Sequence, residues 1–335
     1  MVLKEKLLFN KNIKICITGA SGFIGSCLVD KLIASGYKVS VLTRNKKFKK
    51  NKNLVVYNGD LLKPNSKIDK FLYKCDILYH CAGELTNEKI MYQLHVDGTR
   101  NLLKKFAISP LGESKLKHFI QLSSVGAYGK FDQTKIRRVI TEKSSENPGN
   151  IYELTKTISD KTVQEYSQLK NFFYTILRPT NVVGSNMRNY SFFSLIKSIV
   201  SKKFFYIGSS DSIMTYIHVD DVVDALILCA INSKAKNQIF ILSNDCSLRD
   251  IVDCVIGNSK NKYSPKCLPE FFVRFITIFL SLFVKFPLTI NRINYLVSKT
   301  TYSSKKIQKI LNFLPKKEIP YFASSIINSK IKMKE

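Results

Sequence analysis

At 335 residues, with 45% hydrophobic and 23% charged residues, the chain is globular in composition, long enough for one large domain or two ordinary ones, and neither fibrous nor wholly disordered. Its 53 basic against 25 acidic residues give a formal net charge of +28. The basic residues are mostly scattered lysines with no basic-aromatic element of a nucleic-acid module, so no nucleic-acid partner is expected.

Residues 1–12 carry one short apolar run and no small-residue cleavage site, so a signal peptide is not expected. From residue 13, short β-branched runs alternate with helix-spaced apolar patterns. Ile13 to Thr18, Lys38 to Thr43, Leu54 to Tyr57, Ile77 to His80, His118 to Ser123 and Phe172 to Leu177 read as strands. Between them, Phe23 to Ser35, Ile68 to Tyr73, Lys89 to Phe106 and Ile151 to Leu169 read as helices. That alternation predicts an α/β fold with a doubly wound parallel sheet covered on both faces. Beyond Pro179 the pattern is irregular, with a helix near Phe192 to Val200, a segment Thr215 to Cys229 and a strand at Ile239 to Leu242. The expected division is residues 12–180, a smaller mixed unit at 181–320 with strands able to return to the main sheet, and a basic tail at 321–335.

Eight cysteines form no CxxC pair and several lie in apolar runs, which fits a reducing cytoplasm. Phe271 to Phe286 is apolar, bracketed by Pro269 and Pro287, and shorter than the ~20 residues of a membrane span. It reads as a helix buried in the fold or in a subunit contact, with peripheral membrane contact as the alternative. A homodimer is expected, and no metal.

Gly19, Gly22 and Gly25 fall where the first strand ends and the first helix begins. A dinucleotide pyrophosphate needs such a turn, free of side chains, so that backbone N–H groups and the positive helix end face it. The second strand ends in Thr43-Arg44, with no acid to accept ribose hydroxyls. Arg44, backed by Lys46 and Lys47, favours NADP over NAD. Asp60, after the third strand, is placed to bond an adenine amino group.

A Tyr followed four residues later by Lys puts both on one helical face, where an ammonium favours the phenolate. The pattern occurs four times, at Tyr152/Lys156, Tyr166/Lys170, Tyr295/Lys299 and Tyr302/Lys306. Only Tyr152 and Lys156 begin the long helix before the sixth strand, at the carboxyl edge of the sheet. Ser124 ends the fifth strand at that edge, so the three side chains can converge.

The glycine loop, Asp60, His80-Cys-Ala-Gly83, His95-Val-Asp-Gly-Thr-Arg-Asn-Leu-Leu103, the Ser124 segment, Tyr152/Lys156, Arg178-Pro-Thr-Asn181 and Tyr216-Ile-His-Val-Asp-Asp221 resemble the extended short-chain dehydrogenase/reductases, in particular the nucleotide-sugar epimerase/dehydratase family. The resemblance runs from about residue 12 to 320. It implies a Rossmann domain binding NAD(P) and a smaller C-terminal domain binding a nucleotide sugar. Tyr152 would then exchange the proton, Lys156 would hold the ribose and lower the tyrosine pKa, and Ser124, with Ser123 the weaker candidate, would bond the reacting oxygen. Cofactor contacts fall to Gly19, Ser21, Gly22, Phe23, Ile24, Gly25, Arg44, Asp60, Leu61, Cys81, Ala82 and Gly83, with Tyr152 and Lys156. Substrate contacts fall to Ser124, Asn181 and Arg292.

Three departures narrow the chemistry. Val125-Gly126 stands where the dehydratases carry Asp-Glu, which argues against dehydration. His95 replaces an Asn, and an imidazole can keep that residue's structural hydrogen bonds. Met214 replaces an Arg that often meets substrate diphosphate, so phosphate would need another cation such as Arg188 or Arg292. The expected activity is hydride transfer at C4 of a nucleotide-activated hexose, by a 4-epimerase or 4-ketoreductase. A 3β-hydroxysteroid or dihydroflavonol-type reductase is the alternative, and a non-catalytic NADP sensor is a third reading from another class.

Overall fold

The computed structural model describes residues 12–44, 48–63, 66–113, 117–129, 136–187, 190–259, 262–283 and 288–331. Seven strands, β1 (Ile15–Thr18), β2 (Val39–Thr43), β3 (Leu54–Asn58), β4 (Ile77–His80), β5 (His118–Leu122), β6 (Phe173–Pro179) and β7 (Gln238–Leu242), form one sheet in the order β3-β2-β1-β4-β5-β6-β7. Every pairing in it is parallel. This is the Rossmann-type doubly wound sheet, with its order reversing beside β1.

Strand residues alternate between two cores because successive side chains point to opposite faces. Ile15 and Ile17 enter one core with Leu28 and Leu32 of α1 (Phe23–Ala34) and Val222 and Leu226 of α7 (Val219–Ile231). Cys16 enters the other, with Phe71 of α2 (Ser66–Leu72), Leu102 and Phe106 of α4 (Gly98–Ile108) and Val163 of α5 (Ile151–Lys170). Burial on both faces explains why the central strands read as continuous apolar runs, whereas the edge strand β3 leaves Val55 and Val56 exposed.

The single helix expected over Lys89 to Phe106 is interrupted. α3 (Glu88–Tyr92) runs into a π-helical turn, Gln93–Asp97, before α4 begins. α5 starts at Asn150, whose Oδ1 accepts the Glu153 N–H at 2.9 Å, and stops at Asn171 in the left-handed region (φ 52°).

Residues beyond 181 contribute to the main sheet as well as to a core of their own. The strand expected at Ile239 to Leu242 is β7, the outermost strand, with Ile239 opposite Ile176 of β6. The other core gathers Met214, Phe192 and Ile196 of α6 (Ser191–Val200), Ile251 and Val255 of α8 (Leu248–Gly257), and Ile319, Ala323, Ile326 and Ile327 of α11 (Ile319–Ile331). A basic tail was expected from residue 321, but the chain is helical to Ile331. The i, i+4, i+7, i+8 spacing of those four residues is an apolar face that packs into this core.

The apolar segment at 271–286 also departs from the helix buried in the fold that it suggested. α9 (Glu270–Ser281) buries only Val273 and Thr277, while its phenylalanines are exposed. Residues 284–286 lie outside the described residues. Among the described residues no helix is long and apolar enough to cross a membrane.

Candidate active site

The glycine loop joins β1 to α1 at the carboxyl edge of the sheet. Gly19 adopts φ +68°, and a Cβ there would collide with the Cys81–Ala82 backbone. A Cβ on Gly25 would collide with the Gly19 carbonyl, so α1 can cross this close to the loop only without a side chain. Gly22 donates to the Gly19 carbonyl at 2.9 Å and caps α1 with no side chain on its first N–H groups. Ser21, Phe23 and Ile24 complete the turn, with Phe23 and Ile24 packed against the core under β1. Cys81, Ala82 and Gly83 are drawn alongside because the Cys81 N–H donates to the Thr18 carbonyl at 3.2 Å. His80 ties the same two strands together through Thr18 Oγ1 at 2.6 Å.

The remaining cofactor candidates sit at the ends of β2 and β3. Arg44 is exposed just after β2, whereas Lys46 and Lys47 lie outside the described residues. Asp60 turns Oδ1 back to accept the Leu62 N–H at 3.0 Å. Leu61 is buried, and its carbonyl accepts the Asn101 amide at 3.0 Å.

Ser124, Tyr152 and Lys156 meet at the end of β5. Ser124 caps a short 3-10 turn, Val125–Tyr128, by accepting the Gly126 N–H at 3.0 Å, and its hydroxyl is near enough to the Tyr152 phenol to lower that group's pKa. Burial pushes that phenol up to about 12, with the Ser124 hydroxyl pulling the other way and the Asp160 and Glu153 carboxylates adding to the rise. Lys156, one turn further along α5, is buried and donates to the Leu122 carbonyl at 2.6 Å. The lowering of the phenol by Lys156 that the resemblance implies is therefore absent here. Desolvation dominates at the phenol, and it also lowers the lysine itself against the Asp160 and Cys81 charges.

His95 closes the site from the π-helical turn. Its Nε2 accepts the Glu84 N–H at 2.8 Å, so the proton is on Nδ1, which lies 2.8 Å from Thr155 Oγ1. The ring stands edge-on to Tyr152, with centroids 5.7 Å apart. Burial and the Lys156 charge push His95 down to about 3, so it stays neutral and serves as a strut between the 81–84 loop and α5.

Ser123 is committed elsewhere. It donates to Asp160 Oδ2 at 2.7 Å, which also accepts Arg178 Nε at 3.0 Å, while Arg178 Nη2 donates to Glu146 at 2.6 Å. Sequence reasoning passed over this buried network, although Asp160 follows Lys156 at the i+4 spacing that puts both on one helix face. Of the other Tyr/Lys pairs, Tyr166 packs into the core at the far end of α5, Lys299 pairs with Asp211 at 2.8 Å, and Lys306 donates to the Ile239 carbonyl at 2.8 Å.

Asn181, two residues past β6, donates its amide to the Thr215 carbonyl at 3.1 Å and to the Tyr295 hydroxyl at 3.2 Å. Tyr295 belongs to α10 (Ile290–Leu296), which carries Arg292 on its exposed side. Met214 is fully buried, and Arg188 lies outside the described residues. Among the described residues no three His, Cys, Asp or Glu side chains group as a metal site.

The sequence pattern of the "NAD dependent epimerase/dehydratase family" matches residues 15–242. The chain is 26% identical to a cinnamoyl-CoA reductase 2 of Medicago truncatula over 67% of its own length and 70% of that protein's. It is equally 26% identical to a UDP-glucose 4-epimerase of Vibrio cholerae, over 71% of this chain and 73% of that one. Among solved structures, the UDP-glucose 4-epimerase of Thermotoga maritima with UDP-glucose superposes with a TM-score of 0.72 at 21% identity, covering 96% of this chain and 100% of the other.

Proposed function

This chain belongs to the NAD dependent epimerase/dehydratase family, and from that membership we propose that it transfers a hydride at C4 of a nucleotide-activated sugar, as a 4-epimerase or 4-ketoreductase. It is an NAD(P)-dependent enzyme of the extended short-chain dehydrogenase/reductase type. The observation that carries the finer reading is the convergence of Ser124, Tyr152 and Lys156 at the end of β5, with Asn181 at the same edge of the sheet one strand away.

A bound nicotinamide dinucleotide would supply the hydride acceptor or donor, and the glycine loop, Gly83 and Lys156 are the residues that would hold it. In this reading Ser124 bonds the sugar oxygen, Tyr152 exchanges a proton with that oxygen, and His95 keeps the phenol ring in place. Water elimination is not proposed, because Val125-Gly126 offers neither acid nor base. For cofactor choice we expect NADPH to bind more tightly than NADH. Arg44→Ala should narrow that gap by about tenfold, the scale of one charge-assisted hydrogen bond. Equal affinities for the unaltered protein, measured by titration calorimetry, would remove the preference.

A second reading, a reductase acting on a substrate without a diphosphate, has its own support. Met214 is buried where the family's arginine meets phosphate, and the Asn181 amide is already spent on Thr215 and Tyr295. Thermal melting separates the two. Uridine or thymidine diphosphate should stabilise the protein, by about 2.7 kcal/mol at a hundredfold excess over Kd. That shift should fall with salt, and Asn181→Ala should reduce it without affecting the shift given by NADP. If no nucleoside diphosphate moves the midpoint while a flavonoid, sterol or acyl-CoA does, the reductase reading takes its place.

A further inference from the structure

α9 is amphipathic the wrong way round for a globular core. Val273 and Thr277 alone are buried, Val273 against Ile293 of α10 and Val297 just after it, while Phe271, Phe275, Ile278, Phe279, Leu282 and Phe283 face outward, from 52 to 76% exposed. At 100° per residue these six fall within one continuous arc, opposite the buried pair. Phe275 and Phe279 stack with centroids 6.4 Å apart, and Phe279 meets Phe283 at 5.2 Å, so the stripe is one surface. At ~200 Å² per ring, the phenylalanines alone expose on the order of 600 Å², the upper end of what a monomer's largest patch shows.

Charge selects the occupant. From Lys260 to Lys299 the sequence carries seven basic residues and one acidic, Glu270; Arg274 pairs with that acid at 2.8 Å and Lys299 with Asp211 at 2.8 Å, so the segment keeps a net positive charge after both pairs are set aside. A second copy of this chain would bring the same basic surround and a further +28, so pressing two α9 faces together is opposed by like charge. An anionic lipid surface reverses the sign, since it attracts the lysines and receives the rings at the depth of the headgroup and acyl boundary. We propose that the outward face of α9 docks this protein on anionic membranes, lying in the interface without crossing it. This rests on the exposed stripe and its charge, and does not depend on the substrate reading above.

The chain contains no Trp, so Phe275→Trp introduces a unique reporter. Vesicles of phosphatidylcholine with phosphatidylglycerol should shift its emission to the blue, and pure phosphatidylcholine vesicles should do so at least tenfold less effectively at equal lipid. Co-sedimentation of the unaltered protein should show the same preference and weaken with salt. The pair Phe279→Asp and Leu282→Asp should abolish co-sedimentation while leaving the melting shift given by NADP unchanged, since neither residue touches the cofactor cradle. No blue shift with anionic vesicles, or co-sedimentation that survives the aspartates, overturns the proposal. It is also overturned by a dimer in sedimentation velocity that those aspartates dissociate, combined with no vesicle binding, because the face would then belong to a second copy.

Discussion

Replacing Tyr152 by Phe is expected to lower turnover by about 100-fold or more, the scale of general acid-base catalysis, while folding and dinucleotide binding persist. The change removes only the hydroxyl. The ring keeps its edge contact with His95, 5.7 Å between centroids, and Lys156 keeps its bond to the Leu122 carbonyl. What is lost is the phenolic hydroxyl beside Ser124. Tyr166→Phe is the control, since that tyrosine packs at the far end of the same helix and should change turnover little. Equal losses in the two variants would refute the assignment. Burial holds the free protein's phenol at about 12, so Tyr152 is a proton donor across the neutral range. Reduction should then proceed with little pH dependence through neutrality. Oxidation needs the phenolate and should speed up as pH rises, levelling off only where pH passes the phenol's pKa in the complex with substrate and cofactor. Initial rates in both directions from pH 6 to 10 check this.

The parts legible in the sequence are those fixed by neighbours along the chain. The β-branched runs of the central strands have one good conformation between helical segments, and Gly25 answers to a contact with Gly19 made within a single βαβ unit. What stayed hidden depends on residues far apart. The π-helical turn at 93–97 is accompanied by His95 bonds to the Glu84 backbone and to Thr155, and that second bond spans 60 positions. The Asn181 amide is occupied by a hydroxyl 114 positions away, which no local motif announces. The outward face of α9 was illegible for another reason, because a run of Phe, Ile and Leu has the same periodicity whether it meets a core or solvent. Lys156 shows the same limit within the site. Helical spacing to Tyr152 was visible, but the choice of the Leu122 carbonyl over the phenol is set by where β5 ends.

The network behind the site carries the largest expected loss of stability. Asp160 is fully buried, and its Oδ2 is held by Arg178 Nε at 3.0 Å and Ser123 Oγ at 2.7 Å. Burial raises the Asp160 pKa, and the Arg178 charge, followed by that of Lys156, opposes the rise. Arg178→Met removes the nearer cation and strands the carboxylate, which should cost about 3–5 kcal/mol at neutral pH. The pH dependence identifies the cause. A carboxyl whose folded pKa lies above its unfolded value binds its proton more readily in the folded protein, so its contribution favours folding at low pH and is lost as pH rises through the folded pKa. Removing Arg178 raises that folded pKa further. The variant's deficit relative to the unaltered protein should therefore shrink on going from pH 7.5 to pH 5, as Asp160 takes up its proton and the buried charge disappears. Urea unfolding of both proteins at the two pH values measures this directly. A deficit that stays constant with pH would mean that the cost is lost packing of the guanidinium over the Tyr128 ring, 5.1 Å from its centroid, and not the stranded charge. The same variant probes the catalytic lysine, because the Asp160 charge is the foremost influence resisting the fall in the Lys156 pKa. An Asp160 that protonates more readily should leave Lys156 easier to deprotonate, shifting the acid limb of the oxidation rate profile in a protein that still folds at pH 5.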